Sequence, residues 1–529
     1  MKAILVLYAG SLAEQAFETM PNGENSVSLA LQRARSFAGV EKTVILADEN
    51  SNAEHFGKLD GHIIVEKRPF WTKRGLLQAI ATAQEGFDLA YFAWADCPFL
   101  DPTLAGRLAE RHLKYAAEYS YADGWPYGLA PELLSPGTAA ILSKILGDAD
   151  GQVGRDALFS VIEKDINAFD IEAEISSVDL RCHRLMLCAD SKRNLLLLRR
   201  FADAAGKVPD AACIQRLIAD RPDILRTLPN YYPIQVYAGC PQKCAICPYP
   251  AVAGDIARQD FMEAEKFESL LEKIVEFSGD AVIGLSLWGE LALHPQKIKL
   301  IEMAMRQSAL AVVIETSGIG WKTQELEECA ALAQKASANR KSPLPPLSWI
   351  LSLDTNDSGR YRELRGAGFA EAQDCAKKLL SLFPKDTYVQ AVRLAGAEDD
   401  IERFYRSWKE ASSAENIIIQ KYDDFCGQLP KKQASDLSPV TRQPCWHIMR
   451  DMPILIDGTV PVCREDMAAL SLVLKTGEAS NGESPCLGNV FADSLETIWE
   501  KGQLRYVQHC DKKYERLCAG CDEYYTYNF

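Results

Sequence analysis

Cys240, Cys244 and Cys247 follow one another as C-x3-C-x2-C, directly after the short run Ile234-Gln235-Val236, which reads as a strand. Three thiolates this close cannot satisfy one another as disulfides without leaving one over. They can share a single multi-metal centre, because soft sulfur suits iron–sulfur clusters. Three ligands to a four-iron cluster leave one iron open, and an open iron can chelate a small molecule, as a reactive cluster requires. The spacing alone also admits a zinc site completed by a distant residue, or chance clustering.

The wider cysteine usage supports a metal reading. Sixteen cysteines in 529 residues are too dilute for a disulfide scaffold, and a chain this long needs no staples. Reduced cytoplasmic thiols, some of them metal ligands, are the expectation. Lys2 followed by the apolar run Ala3–Ala9 could mimic a secretion signal, but seven residues suit a buried first strand better. With 58 basic against 73 acidic side chains the net charge is -15, which speaks against broad nucleic-acid or anionic-membrane binding. No apolar run approaches the ~20 residues that span a bilayer.

At roughly 150 residues per domain, three or four domains are expected. Leu5–Leu7, Val44–Leu46 and Leu89–Ala93 are apolar runs suited to buried parallel strands, and Val27–Phe37 and Leu76–Gln84 between them carry helical spacing. That alternation predicts a doubly wound α/β domain over residues 1–195, followed by a helical linker over 196–229. A second series has strands at Ile234–Val236, Ile283–Leu287, Val312–Glu315, Trp349–Leu353, Tyr388–Val392 and Ile417–Gln420. Six strand–helix units predict a parallel sheet or open partial barrel over 230–430, with 431–529 a small cysteine-rich module.

After the first cysteine cluster come Leu287-Trp288-Gly289-Glu290 with His294-Pro295, then Glu315-Thr316-Ser317-Gly318, Ile350-Leu351-Ser352-Leu353-Asp354, and Tyr361-Arg362-Glu363-Leu364-Arg365-Gly366. Together with the triad these resemble the radical S-adenosylmethionine superfamily over residues 230–425. The resemblance implies a partial (β/α)6 barrel whose Cys240, Cys244 and Cys247 hold a 4Fe-4S cluster, the open iron binding S-adenosylmethionine. It implies cofactor contacts from Trp288, Gly289, Glu290, Thr316, Ser352 and Arg365. Glu290 would accept from the ligand's ammonium, Ser352 would meet its ribose or carboxylate, and Arg365, or less well Arg362, would pair with its carboxylate. Ile246 would pack beside the adenine. The family's Gly-Gly-Glu reads Trp-Gly-Glu here, which puts the local backbone approach in question. The implied reaction is reductive cleavage of S-adenosylmethionine to a 5'-deoxyadenosyl radical, which takes a hydrogen atom from substrate.

Downstream stand Cys445, Gly458, Cys463 and the pair Cys518-Ala519-Gly520-Cys521, with Leu487-Gly488-Asn489-Val490 and Ile498-Trp499 between them. This resembles the SPASM/twitch auxiliary-cluster module. The resemblance implies one auxiliary 4Fe-4S cluster fully ligated by Cys445, Cys463, Cys518 and Cys521, for electron transfer. Four such thiolates also suit a structural zinc. Cys486 or Cys510 could replace one ligand, and Cys97, Cys182, Cys188, Cys213, Cys329, Cys375 and Cys426 read as small buried hydrophobes. Asp457-Gly458 predicts a tight turn between two strands.

In the first domain, Trp94–Pro102, Tyr127–Glu132 and Asp179–Asp190 resemble the cytidylyltransferase-like family. Asp96 and Asp190 match its metal-holding aspartates, a candidate divalent-metal site. The family cradles a triphosphate with a basic loop after the first strand, yet no Lys or Arg occurs between Lys2 and Arg33. A degenerate fold, kept for substrate binding or shape, is the expectation.

The three-part layout, with Leu228–Pro233 before the first cluster, resembles the spiro-SPASM type of protein. It implies a cytoplasmic radical enzyme acting on a carbohydrate, polyol or nucleotide-linked compound, served by a reductant such as flavodoxin or ferredoxin. Two other readings stay open: a peptide-modifying maturase, and a non-catalytic iron–sulfur carrier or scaffold.

Overall fold

In the computed structural model the chain divides into two compact units, Met1–Thr227 and Leu228–Phe529. The structure describes all residues except 50, 52, 57–58, 148–149, 254–259, 339, 436–437, 477–485, 515–516 and 527–529.

The first unit is built on seven strands, β1 Ala3–Ala9, β2 Val40–Asp48, β3 Ile63–Arg68, β4 Leu89–Trp94, β5 Tyr119–Asp123, β6 Glu132–Leu134 and β7 Ile171–Ile175, in the order 3-2-1-4-6-5-7. Every residue of β1 and β4 is buried, so the apolar run near the N-terminus is a central strand flanked on both sides by parallel neighbours. Parallel strands covered on both faces are uniformly apolar, which is why these runs show no alternation. β6 is antiparallel to both β4 and β5.

The segment expected as a linker is helical and belongs to this unit. Helices Lys192–Ala205 and Ala211–Asp220 place Leu195, Leu198, Phe201, Ile214 and Leu217 in its core. Asp101 fixes the second of them. Its Oδ1 caps helix Pro102–Lys114 by accepting from the amides of Thr103 (2.7 Å) and Leu104 (2.9 Å), and its Oδ2 accepts from the Ala211 amide (2.6 Å).

The second unit carries a six-stranded, all-parallel sheet of β8 Tyr231–Pro233, β11 Ala281–Gly284, β12 Leu310–Thr316, β13 Leu347–Ser352, β14 Thr387–Arg393 and β15 Ile417–Lys421. Between the first two lies a small ribbon of β9 Tyr237–Ala238 and β10 Asp260–Phe261. Spatial order equals chain order, so each strand–helix unit is laid beside the last and the sheet curls into a partial barrel. Helix faces such as Phe267, Leu270 and Ile274 pack against strand residues such as Ile283, Val312 and Trp349. The strand expected at Ile234–Val236 lies three residues earlier. Ile234 still donates to the Gly284 carbonyl, but Gln235 turns to the Ile454 carbonyl instead, which takes the chain out of the sheet.

The cysteine-rich segment shares this core. Met452–Ile454 runs along β8, with its Met452 and Ile454 amides donating to the Tyr231 and Pro233 carbonyls. Hairpin strands β16 Thr459–Pro461 and β17 Cys486–Asn489 follow. Gly458 (φ +88°) closes the turn before β16, where a Cβ would stand 2.4 Å from the Phe491 ring. Among the described residues no helix is long and apolar enough to cross a membrane.

Asp101→Ala strands three amides at two helix N-termini, those of Leu104 and Ala211 buried, a cost of about 2–3 kcal/mol. Hydrogen exchange should show lost protection in Pro102–Lys114 and Ala211–Asp220, with the second unit unchanged.

Candidate functional site

The loop after β9 carries the three cysteines, and it is fastened to the Tyr361–Arg365 segment. The Ala245 amide donates to the Leu364 carbonyl (2.8 Å), the Gln242 amide group donates to the Tyr361 hydroxyl (2.8 Å), and Arg365 Nε donates to Gln242 Oε1 (3.2 Å). Cys240, Cys244 and Cys247 all line one cavity of about 260 Å³ at the C-terminal ends of the barrel strands. Burial raises all three thiols, Cys240 to about 11 and Cys247 to about 12. Without a cation the triad is protonated at neutral pH, so iron would have to displace those protons, as soft-metal binding to thiols does.

Trp288, Gly289 and Glu290 line the opposite wall. A Cβ on Gly289 would sit 1.9 Å from the Tyr237 carbonyl oxygen, so only glycine lets these two backbones meet. The close approach therefore depends on the second residue of the motif. Trp288 nonetheless keeps the left-handed backbone (φ +48°) that a glycine would adopt without cost. It is held there by Gln235, whose side-chain amide donates to its carbonyl, and by its own indole Nε1, which donates to the Arg464 carbonyl (3.1 Å).

Glu290 is buried and fully engaged. Its Oε1 accepts from the Thr316 hydroxyl (2.7 Å) and the Ala292 amide (3.2 Å), and its Oε2 from the amide (2.8 Å) and hydroxyl (2.7 Å) of Ser317. Burial raises its pKa despite these four donors. A carboxylate offers about four lone-pair sites, so a ligand ammonium reaching Glu290 must turn one of the two hydroxyls away.

Ser352 and Arg365 also reach the cavity, each with a protein partner. Ser352 donates to Glu315 Oε1 (3.0 Å), which also accepts from Gln390 (3.0 Å). The Arg365 guanidinium is paired with Asp354 (2.6 Å), whose other oxygen accepts from the Val392 amide (2.9 Å). Arg362 is exposed, whereas Ile246 lines the cavity. A second cavity, of about 270 Å³, crosses the concave face of the sheet and shares Ser286, Glu315, Gln390, Gln420 and Arg464 with the first.

Cys445, Cys463, Cys518 and Cys521 form a second thiol group. Burial raises Cys445 to about 12, with the charges of Cys521 and Cys518 adding to it, and burial raises Cys463 as well, with Glu465, Cys445 and Cys521 adding there. A fifth thiol stands with them: Cys426 hydrogen-bonds Cys521, which is lowered by that contact. Cys426 had read as a plain core residue, but it follows the last barrel strand at a left-handed position (φ +57°). Cys510 packs beside Cys445 and Cys518, while Cys486 packs in a separate cluster with Tyr249 and Cys247. Cys97, Cys188, Cys213, Cys329 and Cys375 are buried as read; Cys182 is exposed.

The two thiol groups adjoin one cavity through their sequence neighbours. Arg464, next to Cys463, and Phe425, next to Cys426, both line it. So does Asp423, whose Oδ2 is buried with no hydrogen-bond partner among the described residues. In the first unit, Asp96 and Asp190 both meet the guanidinium of Arg155, a residue the sequence reading did not single out.

The SPASM family, an iron-sulfur cluster-binding domain, matches residues 445–522. An uncharacterized protein of Treponema pallidum (strain Nichols) is 35% identical over 381 residues, covering 70% of this chain and 98% of that protein. Among solved structures, the chain is similar to a cytidylyltransferase from Leptospira borgpetersenii at 16% identity and a TM-score of 0.36, over 42% of this chain and 97% of the other. It is similar also to Streptococcus suis SuiB bound to precursor peptide SuiA at 15% identity and a TM-score of 0.40, over 59% and 75%.

Gly289→Ala forces the motif off the Tyr237 carbonyl, and Trp288→Gly does not. Iron retained after anaerobic reconstitution should fall by about half in Gly289→Ala, one of two four-iron centres being lost. Trp288→Gly should retain both.

Proposed function

This chain belongs to one family with the Treponema pallidum protein, among the radical S-adenosylmethionine proteins that carry a SPASM iron–sulfur domain, and from that premise we propose that it abstracts a hydrogen atom from a polar, hydroxyl-bearing small molecule. The substrate class is a carbohydrate, polyol or nucleotide-linked compound. When bound, the reduced cluster and S-adenosylmethionine supply a 5'-deoxyadenosyl radical to the cavity. In this reading Cys240, Cys244 and Cys247 hold the cofactor cluster, and Cys445, Cys463, Cys518 and Cys521 hold the auxiliary one.

One observation carries the substrate class. The concave face beside the triad presents Ser286, Glu315, Ser352, Gln390 and Gln420, positions where a parallel barrel strand could have carried aliphatic residues. A wall of hydroxyl, amide and carboxylate groups matches a ligand with many hydroxyls, because it can both donate to and accept from them. Ser352, Glu315 and Gln390 bond one another, so the wall is ordered before a ligand arrives. Arg464 brings the cysteine-rich segment to the same ligand, which suits an auxiliary cluster that would accept the electron left on substrate after hydrogen abstraction. An external reductant, a flavodoxin or ferredoxin, would supply the first electron.

The test is anaerobic reconstitution with dithionite and S-adenosylmethionine, with 5'-deoxyadenosine read by mass spectrometry. Wild type should form it slowly without substrate and faster with a matching polyol or nucleotide sugar. Cys240→Ala should form none, and equal output from both proteins would leave only the carrier reading. Glu290→Gln should need roughly 10–100-fold more S-adenosylmethionine, the worth of one charge-assisted hydrogen bond.

Cys445→Ala should separate the two centres. Iron should drop by about half while the response of the cluster's EPR signal to S-adenosylmethionine persists.

A further inference from the structure

The cytidylyltransferase likeness of the first unit implies a divalent cation between Asp96 and Asp190, and the residues there already supply a cation. Asp96 directly follows β4 and is 1% exposed. Arg155 grips it with both ends of its fork, Nη1 to Oδ1 at 2.7 Å and Nη2 to Oδ2 at 2.5 Å. The same Nη2 reaches Asp190 Oδ2 at 3.3 Å. The two carboxylates thus share one guanidinium, as they would share one metal ion. Their remaining contacts are also met within the chain. Asp190 Oδ1 accepts from the Asn194 side-chain amide (2.8 Å), and its Oδ2 accepts from the Cys188 thiol (3.2 Å).

The surroundings are built for a flat organic cation. The guanidinium lies 4.1 Å from the Trp94 ring centroid and 5.6 Å from that of Tyr127, distances at which an aromatic face attracts Arg. Trp94 in turn packs edge-on against Tyr8, at 4.7 Å between centroids. A magnesium ion demands octahedral oxygen ligands and keeps several waters. To enter, it would have to expel Arg155 and leave that guanidinium over aromatic rings without its carboxylates, an arrangement that strongly disfavours entry. The turn after β1 agrees: it lacks Lys and Arg, and a Cβ on Gly10 would stand 2.6 Å from the Tyr8 hydroxyl.

We propose that Arg155 is a built-in counter-ion occupying the divalent-metal position of this nucleotidyltransferase-like unit, so that the unit binds no magnesium or manganese at Asp96 and Asp190 and performs no metal-dependent nucleotidyl transfer. Any ligand it takes is held without a metal bridge.

The probe is manganese(II), titrated into the full-length protein, with free ion read by EPR. Wild type and Asp190→Asn should bind manganese identically, whatever other acidic groups contribute. Arg155→Met should gain one site, and the double variant Arg155→Met/Asp190→Asn should lose it. A wild-type site that disappears in Asp190→Asn overturns the proposal. So does a folded Arg155→Met, its circular dichroism unchanged, that gains none. If Arg155→Met fails to fold, the comparison of wild type with Asp190→Asn still decides.

Discussion

The cavity of the second unit depends on one backbone contact, the meeting of Trp288–Glu290 with Tyr237–Gly239. Gly289 lies against the Tyr237 carbonyl where no side chain could, and the Glu290 amide donates to the Gly239 carbonyl at 2.8 Å. That contact sets the end of β11 against the start of the cysteine loop. From there Glu290 reaches across to Thr316 and Ser317 at the end of β12, while the Trp288 indole reaches Arg464. Three residues thus tie the triad loop, two strand ends and the auxiliary segment. The left-handed Trp288 backbone costs about 1–2 kcal/mol, and its bonds to Gln235 and Arg464 are what hold it there.

The cysteine-rich segment and the barrel are joined along β8, so the auxiliary thiols inherit a fixed place beside the cavity. Met452–Ile454 satisfies the polar edge of that strand, and Ile454, Val460, Val490 and Ile498 enter the barrel core. The Met452 and Ile454 amides occupy the Tyr231 and Pro233 carbonyls, so a foreign strand cannot add to β8 there. The junction also turns Arg464 into the cavity, paired with Glu465.

Much of this architecture was legible in the sequence because it follows from patterns within short windows. Unbroken apolar runs announced β1 and β4, and the close spacing of Cys240, Cys244 and Cys247 announced that their thiols would line one cavity. What escaped depends on partners far apart in the chain. Arg155 lies 59 residues beyond Asp96, and nothing in its local sequence points to a strand-end carboxylate. Cys426 has no cysteine within three residues, so spacing could not group it with Cys521. The polar wall did leave a signal: Glu315, Gln390 and Gln420 follow directly on apolar residues inside strands β12, β14 and β15. The offset at β8 arose because apolar character continues past Pro233, while pairing to Ile454 rather than the sheet takes over at Gln235.

The charges around the cavity narrow what its occupant can offer. Asp423 and Glu465 are both buried, each with one oxygen lacking a hydrogen-bond partner among the described residues, and burial raises both, with the charge of Glu465 adding at Asp423 and that of Glu523 adding at Glu465. Arg464 offsets this at Glu465, but it serves several acidic neighbours at once. A raised carboxyl at a cavity wall is protonated when nothing faces it, and so presents an O–H. An arriving hydroxyl can accept from that group at Asp423, and Arg365, Lys421 and Arg464 on the same wall add further donors. A wall of this kind offers both donors and acceptors to a hydroxyl-bearing ligand, as the function proposed above requires.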